Sequence, residues 1–530
     1  MTINLRYTTF LVGLISIVLG AFGFHQAFPE NTVQTSIYQA AQLFTISSGA
    51  VQGSLPWTLE LARWLAPLAT LGAILVAAQA FFYAFQARLK AAFYRDHIIV
   101  CGAGERGVSI ACRLGLQGQK VVMVDSDGLC NGLNKARALG IPTFVGNGLI
   151  SDTMRMAGIS KAKRLIATCG SDEINLQITG NWNDKTKAEI IAAVEQPRLR
   201  LLFRDQIGAG KDHRSIRLIG FQFRAAKRLF YELAASLCLR PVLATRGARV
   251  FLEIKNDLLE DFIRAAILTL QIFGGKKPSL TVYVKNESFK EQFLLRYPGT
   301  PLVADLYWVY SCPSKEISPE RFSAFDASIF CSSEDMSTLE RAELFHSLAL
   351  TPSESIYACL QNPINNSFIN STNFVRKKVF QVVDLVDFSL GGNDPLDDYL
   401  EEEAIRLHHD FVKNEKLKDP SWDRLPVDWS FLDESYRESN RLQAAGLEIN
   451  RLLWKSCPDD HKEKLLEQLA KAEHMRWMAD KVMHGWRWSG SIEPSTRDDR
   501  KRIHHLLVPF ESLSNEEKMK DLSPLKKALG

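Results

Sequence analysis

HIIVCGAGERG, His97–Gly107, decides the fold: a short apolar strand runs straight into Gly102, Gly104 and Gly107 at GxGxxG spacing. Each glycine has its own physical task. Gly102 permits a tight turn, Gly104 lets a pyrophosphate approach the backbone, and Gly107 lets the helix pack on the strand. The helix N-terminus then offers N–H donors and a favourable dipole to phosphate. The next strand, KVVMVD, ends in Asp125, about 20 residues on, where an acidic side chain grips ribose hydroxyls. Asp127 competes for that role. Strand, glycine loop, helix and acid in this order predict a dinucleotide-binding crevice rather than a glycine turn without a ligand.

Toward the C-terminus the alternation continues. A helix over Val108–Gln117 and another over Asn131–Leu139 lead to the strand IPTFVG and the turn Gly146-Asn147-Gly148. A helix over Ser151–Ala157, the strand Arg164–Cys169 and GSDEINLQI (Gly170–Ile178) follow. The pattern predicts a parallel, doubly wound sheet. Ligands bind such sheets at the strand carboxyl ends, which puts Gly146–Gly148 and Thr168–Asp172 on the rim with Gly102–Gly107. HIIVCGAGERG, VVMVDSD, GNGLISDTM and ATCGSDEINLQI together resemble the RCK, or TrkA-N, domain over His97 to Leu237. The resemblance implies a regulator of potassium channels and transporters that binds NAD(H) or another adenine nucleotide and gates an attached membrane unit. It assigns binding to Gly102, Gly104, Gly107, Asp125 and Asn147, with Asp172 and Glu173 as further candidates. No residue has the look of a hydride-transfer catalyst and no substrate domain follows, so no enzyme is expected.

Toward the N-terminus, apolar residues crowd Thr8–Phe28 and again Trp64–Phe85. Each run is close to the roughly 20 residues that cross a bilayer as a helix. A cleaved signal peptide fits the first run poorly, because it has only Arg6 before it and no cleavage site. Gly23–Ala62 carries no Lys or Arg, Arg63 precedes the second run, and Arg88, Lys90 and Arg95 follow it. The positive-inside rule puts both termini in the cytoplasm, the connecting segment outside, and the protein in the inner or plasma membrane. One hairpin encloses nothing alone, so several chains are expected to assemble. The connecting segment Ser36–Gly53 is similar in position to the pore helix and filter of two-helix potassium channels, whose TVGYG carbonyls replace the hydration shell of the ion. Thr45, Ile46, Ser47, Ser48 and Gly49 stand in that place. Ser47 replaces the first glycine and disfavours the positive φ that glycine adopts freely, and Ser48 replaces the aromatic, so potassium selectivity is not expected. A pore of some kind and an ordinary external loop both stand as readings, with the pore ahead.

Beyond Ala248 the strand–helix pattern restarts: ARVFLEI, a helix over Asp257–Phe273, SLTVYV, FDASIFCSS (Phe325–Ser333), a helix through Leu348, and SIYACL. This reads as a degenerate second RCK-type lobe. Its turn is KNDLLEDF, where Leu258 and Leu259 would block a phosphate. From about Asp397 the chain turns helical, with acids early in DDYLEEEAIRLHHDFV as the helix dipole favours, and a further helix over Ser435–Trp454. LAKAEHMRWMADKVMHGWRWSG (Leu469–Gly490) and the basic run Arg497–Lys518 resemble the RyR repeat of ryanodine receptors, also found in bacterial proteins, over Leu469 to about Leu529. Here the turn reads Gly485, Trp486, Arg487, Trp488, Ser489, Gly490, with the glycine one residue later than is usual in that family. The resemblance implies a ligand-sensing module. Trp486 and Trp488 offer faces to a base, and Arg487, Arg497 and Arg500, with Lys501 and Arg502, offer charge to phosphate. Trp477 is expected in the core and His474 as a structural partner.

The whole chain sets outer bounds. Its 530 residues are 46% hydrophobic and 23% charged, with a net charge of +4, so neither a disordered tract nor a nucleic-acid surface is expected. Nine scattered cysteines without CxxC spacing predict reduced thiols and no metal site. The expected organisation is a membrane α-helical hairpin with its linker (1–96), a Rossmann RCK lobe (97–240), a degenerate α/β lobe (241–395) and a mainly α RyR domain (396–530). The expected function is a ligand-gated ion channel or channel-like membrane effector, a homotetramer by the RCK resemblance, with a place in bacterial antiviral signalling by the RyR resemblance. The alternative is a membrane-anchored nucleotide sensor that regulates a cation transporter in trans.

Overall fold

The computed structural model describes residues 2–45, 54–207, 216–310, 325–347, 355–361, 380–432 and 434–529. Ser47, Ser48 and Gly49 of the pore-like tract lie outside the described residues; Thr45 lies within them. Two compact units divide the chain, one ending at Phe93 and one beginning at Tyr94.

The first unit is built from α1 (Thr2–Ala27), α2 (Val33–Gln42) and α3 (Trp57–Phe93). Helices α1 and α3 are long and apolar enough to cross a membrane. Helix α3 has 37 residues. At 1.5 Å per residue it is about 55 Å long, well over the ~30 Å of a hydrocarbon core. The linker expected over Arg88–Asp96 is therefore shorter than the sequence implied. Arg88, Leu89, Lys90 and two alanines are good helix formers, so α3 runs on to Phe93 and leaves only Tyr94, Arg95 and Asp96 before the strand at His97.

Small residues set the helix approach. A Cβ on Gly20 would lie 3.0 Å from Ala40 Cβ, and one on Gly23 would lie 2.6 Å from the Leu59 backbone nitrogen. Phe24, Ala40, Leu43, Leu59, Ala62 and Ala66 close the core around these contacts. Such small-residue seams let apolar helices pack without a hydrophobic drive between them. Gly23→Val is expected to push α1 off α3 and destabilise the hairpin by about 1–3 kcal/mol, as overpacking does. Thermal unfolding of the detergent-solubilised protein reads the effect, and an unchanged melting curve would rule out the close crossing.

The second unit opens with a six-stranded sheet of β1 (His97–Cys101), β2 (Val121–Asp125), β3 (Thr143–Val145), β4 (Ala162–Ala167), β5 (Glu189–Ala193) and β6 (Ile216–Ile219). The order is β3-β2-β1-β4-β5-β6, the doubly wound order of a dinucleotide fold. The pairs from β2 through β6 are parallel, and β1 is buried along its whole length. Helices α4 (Glu105–Leu116), α5 (Asn131–Ala138), α6 (Ser151–Met156), α7 (Asp172–Trp182), α8 (Pro197–Ile207) and α9 (Phe221–Leu237) alternate with the strands. Helix α4 starts directly after Gly104, three residues earlier than the periodicity implied. Strand β4 stops at Ala167, which leaves Thr168 and Cys169 in the rim loop.

The second lobe repeats the winding. Its strands are β7 (Arg249–Ile254), β8 (Ser279–Tyr283), β9 (Asp305–Val309), β10 (Ala327–Cys331), β11 (Ile356–Leu360) and β12 (Gln381–Asp384). The order β12-β11-β10-β7-β8-β9, read from its other edge, is that of the first sheet. The edge strands β9 and β12 were not legible in the sequence. Helix α10 (Leu259–Thr269) begins two residues later than expected and is buried on every side. Leu258 and Leu259 belong to the core there.

Four long helices follow, α11 (Glu401–Lys418), α12 (Glu434–Ser456), α13 (Lys462–Met483) and α14 (Asn515–Leu529), with a small ladder of β13 (Arg487–Trp488) and β14 (Ile503–His504). This region is not a separate bead. One continuous apolar core runs from α9 and α10 into Leu442, Leu447, Met475, Met478 and Val482. A Cβ on Gly274 would lie 2.2 Å from Lys471 Cβ, so the second lobe meets α13 at backbone distance. The segment after β12 returns to the first lobe: Leu390 and Leu396 join its core, and Gln117 Nε2 donates to the Asn393 carbonyl at 2.8 Å.

Candidate functional site

The three motif glycines divide their work at the carboxyl edge of the first sheet. Gly102 has φ 104°, and a Cβ there would lie 2.6 Å from the Thr168 carbonyl. A Cβ on Gly107 would lie 2.0 Å from the Gly102 carbonyl. Both positions are closed to any side chain. Gly104 differs: a Cβ on it meets nothing within 4 Å. It caps α4 in extended geometry with no side-chain bond, so the N-terminal end of α4 is open where a phosphate would approach.

The acids and amides of the rim sort by what they hold. Asp125 Oδ2 accepts the Ala103 N–H at 2.5 Å, and its Oδ1 accepts the Asp127 N–H at 2.8 Å. The half-buried carboxylate thus braces the glycine loop, while each oxygen keeps a lone pair for a hydroxyl. Asp127 bonds its own turn at the Leu129 N–H, and exposed Asn147 does the same at Leu149. Asp172 accepts the N–H groups of Glu195 at 2.9 Å and Gln196 at 2.7 Å, one on each oxygen. It ties α7 to the end of β5, a structural use that its place on the rim did not reveal. Glu173 is exposed and bonds Gln177 on the same helix.

Two rim residues escaped sequence reasoning. Asn175 is 1% exposed; it accepts the Cys169 N–H at 2.8 Å and donates to the carbonyls of Cys169 and Ala193. It locks the loops after β4 and β5 together, and nothing in a helix of mixed polarity singles it out. Arg106, inside the glycine motif itself, pairs with Glu195 at 2.5 Å and lies 5.0 Å above the Phe221 ring. Burial pushes the Cys169 thiol up to about 11 and raises that of Cys101 further, so neither is a thiolate at neutral pH. Among the described residues there is no group of His, Cys, Asp and Glu that could hold a metal ion.

The C-terminal turn separates its tryptophans. Trp477 stacks on His474, whose Nε2 bonds the Val508 carbonyl at 2.9 Å, so both are core residues. Trp486 packs against the core with its edge to His504. Trp488 is 47% exposed beside exposed Arg487. Arg497 forks onto Asp499 at 2.6 and 3.0 Å, and Arg500 is exposed. Burial, reinforced by Arg497, pushes His504 down to about 4 and keeps it neutral, with Nδ1 accepting the Leu506 N–H. Positive φ at Gly485, Gly490 and Arg502 brackets the turn. A cavity of about 70 Å³ among α11–α14, lined by Gln443, Asn450, Glu473 and Asp521, has room for waters and not for a nucleotide.

Comparison with known proteins identifies two domains. Residues 98–213 match the TrkA-N domain and residues 458–530 match the RyR domain. The second match begins just before α13, so α11 and α12 precede it. Among solved structures, the chain is similar to GsuK bound to ADP, with 13% identity over 72% of this chain and 94% of that one and a TM-score of 0.36. It is similar to the GsuK channel bound to NAD, with 13% identity over 73% and 82% and a TM-score of 0.37. A third is the NAD(P)-binding domain of an exopolyphosphatase-related protein from Archaeoglobus fulgidus, with 19% identity over 24% and 87% and a TM-score of 0.20. No curated protein matches the sequence.

Proposed function

We propose that this chain assembles in a membrane, as a homotetramer, into an ion channel gated by an adenine nucleotide at the rim of its first lobe. One hydrogen bond supports the pore most directly: Thr70 Oγ1 donates to the Phe44 carbonyl at 3.0 Å. Thr70 lies about 20 Å along α3 from Trp57. The turn that ends α2 therefore sits deep beside a spanning helix instead of lying outside it. Irregular backbone at that depth is tolerated where it lines a water-filled path or is buried in protein. The C-terminal end of α2 carries partial negative charge, which suits a cation.

The rim supports the ligand half of the proposal. The TrkA-N match covers it, Gly104 leaves room for a pyrophosphate, and Asp125 stands ready for ribose. NAD(H), ADP and ATP all meet those requirements. Gating needs a ligand that binds one state better than the other. The path to the membrane is short, since α3 and β1 are separated by Tyr94, Arg95 and Asp96 alone. The positive charges Arg88, Lys90 and Arg95 support a cytoplasmic position for this end of α3. Nucleotide is ligand here and not substrate, so NADH should survive incubation unconsumed.

Flux from liposomes holding the purified protein tests the proposal. A cation leak that appears with NAD, NADH, ADP or ATP is the expected result. Binding without any leak would favour a membrane-anchored sensor acting in trans, the reading that Ser47 and Ser48, as departures from a potassium filter, favour.

A further inference from the structure

We propose that a buried chain of alternating charges couples the nucleotide rim to the C-terminal tryptophan turn, so that occupancy of one changes the state of the other. The nucleotide half of this inference rests on the reading of the rim given above. The chain starts on α4, whose N-terminus faces the phosphate position. Arg106 there pairs with Glu195 Oε1 at 2.5 Å, and Glu195 Oε2 accepts the Gln222 N–H at 3.1 Å. The Glu195 carbonyl accepts from Arg200 at 2.6 Å, and the other arm of Arg200 donates to Asp261 Oδ1 at 2.8 Å. Asp261 belongs to the second lobe. Its same oxygen takes Arg264 at 3.4 Å, and Arg264 reaches the Met483 carbonyl at 3.5 Å. Met483 ends α13, and His484, Gly485 and Trp486 follow it directly. From the other side of the turn, Arg502 donates to the His484 carbonyl at 3.1 Å.

Two properties suit this chain to transmit a change. Its inner links are dry: the side chains of Asp261, Arg264 and Arg200 are 3%, 5% and 12% exposed, against 23% and 21% for Arg106 and Glu195 at the start. In such surroundings a charge that loses its partner is costly, so a shift at one link is passed on rather than absorbed by water. It also holds spare donors. Among the described residues, Nε of Arg106, Oε1 of Glu195 and Nε of Arg264 have no hydrogen-bond partner, so the Arg106–Glu195 contact is an ion pair alone. Buried donors left over in this way are uncommon and leave room for a second arrangement of the same groups. A phosphate on the first turn of α4 adds negative charge next to Arg106 and competes with Glu195 for it. The effect is reciprocal: a ligand on the turn would alter nucleotide affinity by the same factor.

Hydrogen exchange of the full-length protein over residues 483–505 provides the test, because exchange rates report local opening. Arg106→Met, at the partly exposed start of the chain, is compared with Arg155→Met, a fully solvated arginine of the same lobe. Arg106→Met is expected to change exchange in that segment by about fivefold or more, the low end of ordinary coupling, and Arg155→Met to leave it alone. NAD or ADP added to the unaltered protein should move the same segment, and Asp261→Asn should remove that response. No change in the segment with Arg106→Met would overturn the relay. If Arg106→Met moves the segment but neither NAD nor ADP binds the unaltered protein, the relay stands and the nucleotide reading of the rim falls.

Discussion

Gly104→Val abolishes nucleotide binding and leaves the fold intact with only a small drop in melting temperature: this is the expected outcome of the most direct test of the rim. The backbone at Gly104 has φ −65° and ψ 174°, which any L-residue adopts. Among the described residues nothing lies within 4 Å of a Cβ placed there, so a side chain at this position starts into open space. Valine is a poorer helix N-cap than glycine, so a loss of about 1 kcal/mol at the start of α4 is expected. Its isopropyl group would fill the volume into which a pyrophosphate must come to reach the first N–H groups of α4. Dissociation constants should rise by about a hundredfold or more, about 2.8 kcal/mol. Gly107→Ala is the contrasting change, since its methyl would lie 2.0 Å from a backbone carbonyl. It should lower melting temperature and affinity together. Titration calorimetry with NAD and ADP, next to scanning calorimetry, separates the two outcomes. A folded Gly104→Val protein that still binds with unchanged affinity would move the ligand away from this rim and toward the exposed face of Trp488.

What could be read in advance follows how local each cause is. The glycine loop was legible because its constraints are carried by neighbouring backbone: a positive φ at Gly102 and a close approach at Gly107. Both lobes were legible as strand–helix alternation, because each buried central strand is a short apolar run. Strand β9 was not, since it forms the sheet edge and its residues stay partly or fully exposed, so apolar and polar positions do not separate. The length of α3 exceeds its apolar run for a different reason. Charges mark where a membrane ends, but helix propensity carries the helix past Arg88 and Lys90. Asp172 and Asn175 could not be told apart as ligand and brace, because the groups they hold, at Glu195, Gln196 and Ala193, come from another strand end. The turn that carries Trp488 outward has positive φ at Gly485 and Arg502, residues far apart in sequence that precede β13 and β14. Least visible in the sequence are the charges of α12: nothing in its spacing marks Arg437 and Arg441 as enclosed, yet they are 4% and 3% exposed.

Arg441→Met puts that enclosure to its strongest test. Arg441 on α12 is 3% exposed. It forks onto Glu401 at 2.6 and 2.9 Å and reaches Glu434 at 2.6 Å and Glu438 at 3.3 Å. Glu438 also takes Lys227 of α9 at 2.5 Å, and Lys227 pairs with Asp398 at 3.2 Å. Methionine keeps much of the volume and removes the charge, which leaves carboxylates buried without their cation. Breaking a buried pair this way costs about 3–5 kcal/mol. The pH dependence distinguishes this cause from a packing defect. Burial by itself would raise the Glu401 and Glu434 carboxyls, but Arg441, with neighbouring arginines, holds both below the usual carboxylate range. Groups depressed in the folded state contribute stability above their unfolded pKa of about 4.3, and that contribution is lost as pH falls through the folded values. In the variant the largest of these charges is gone, and burial, the first influence on both carboxyls, is expected to outweigh the arginines that remain, so that they titrate above their unfolded value. The sign then reverses: their protonated forms suit the folded state, and the penalty grows as pH rises. The deficit relative to the unaltered protein should accordingly be large at pH 7 and smaller at pH 5. Denaturant unfolding at the two pH values measures it. A deficit under about 1 kcal/mol, the range of a solvated ion pair, would show that water already screens Arg441. A large deficit equal at both pH values would assign the loss to packing. The expected narrowing would instead make Arg441 the charge that holds the first lobe, the segment around Asp398 and the C-terminal helices as one folded body, the condition for a ligand at the rim to be felt at the turn.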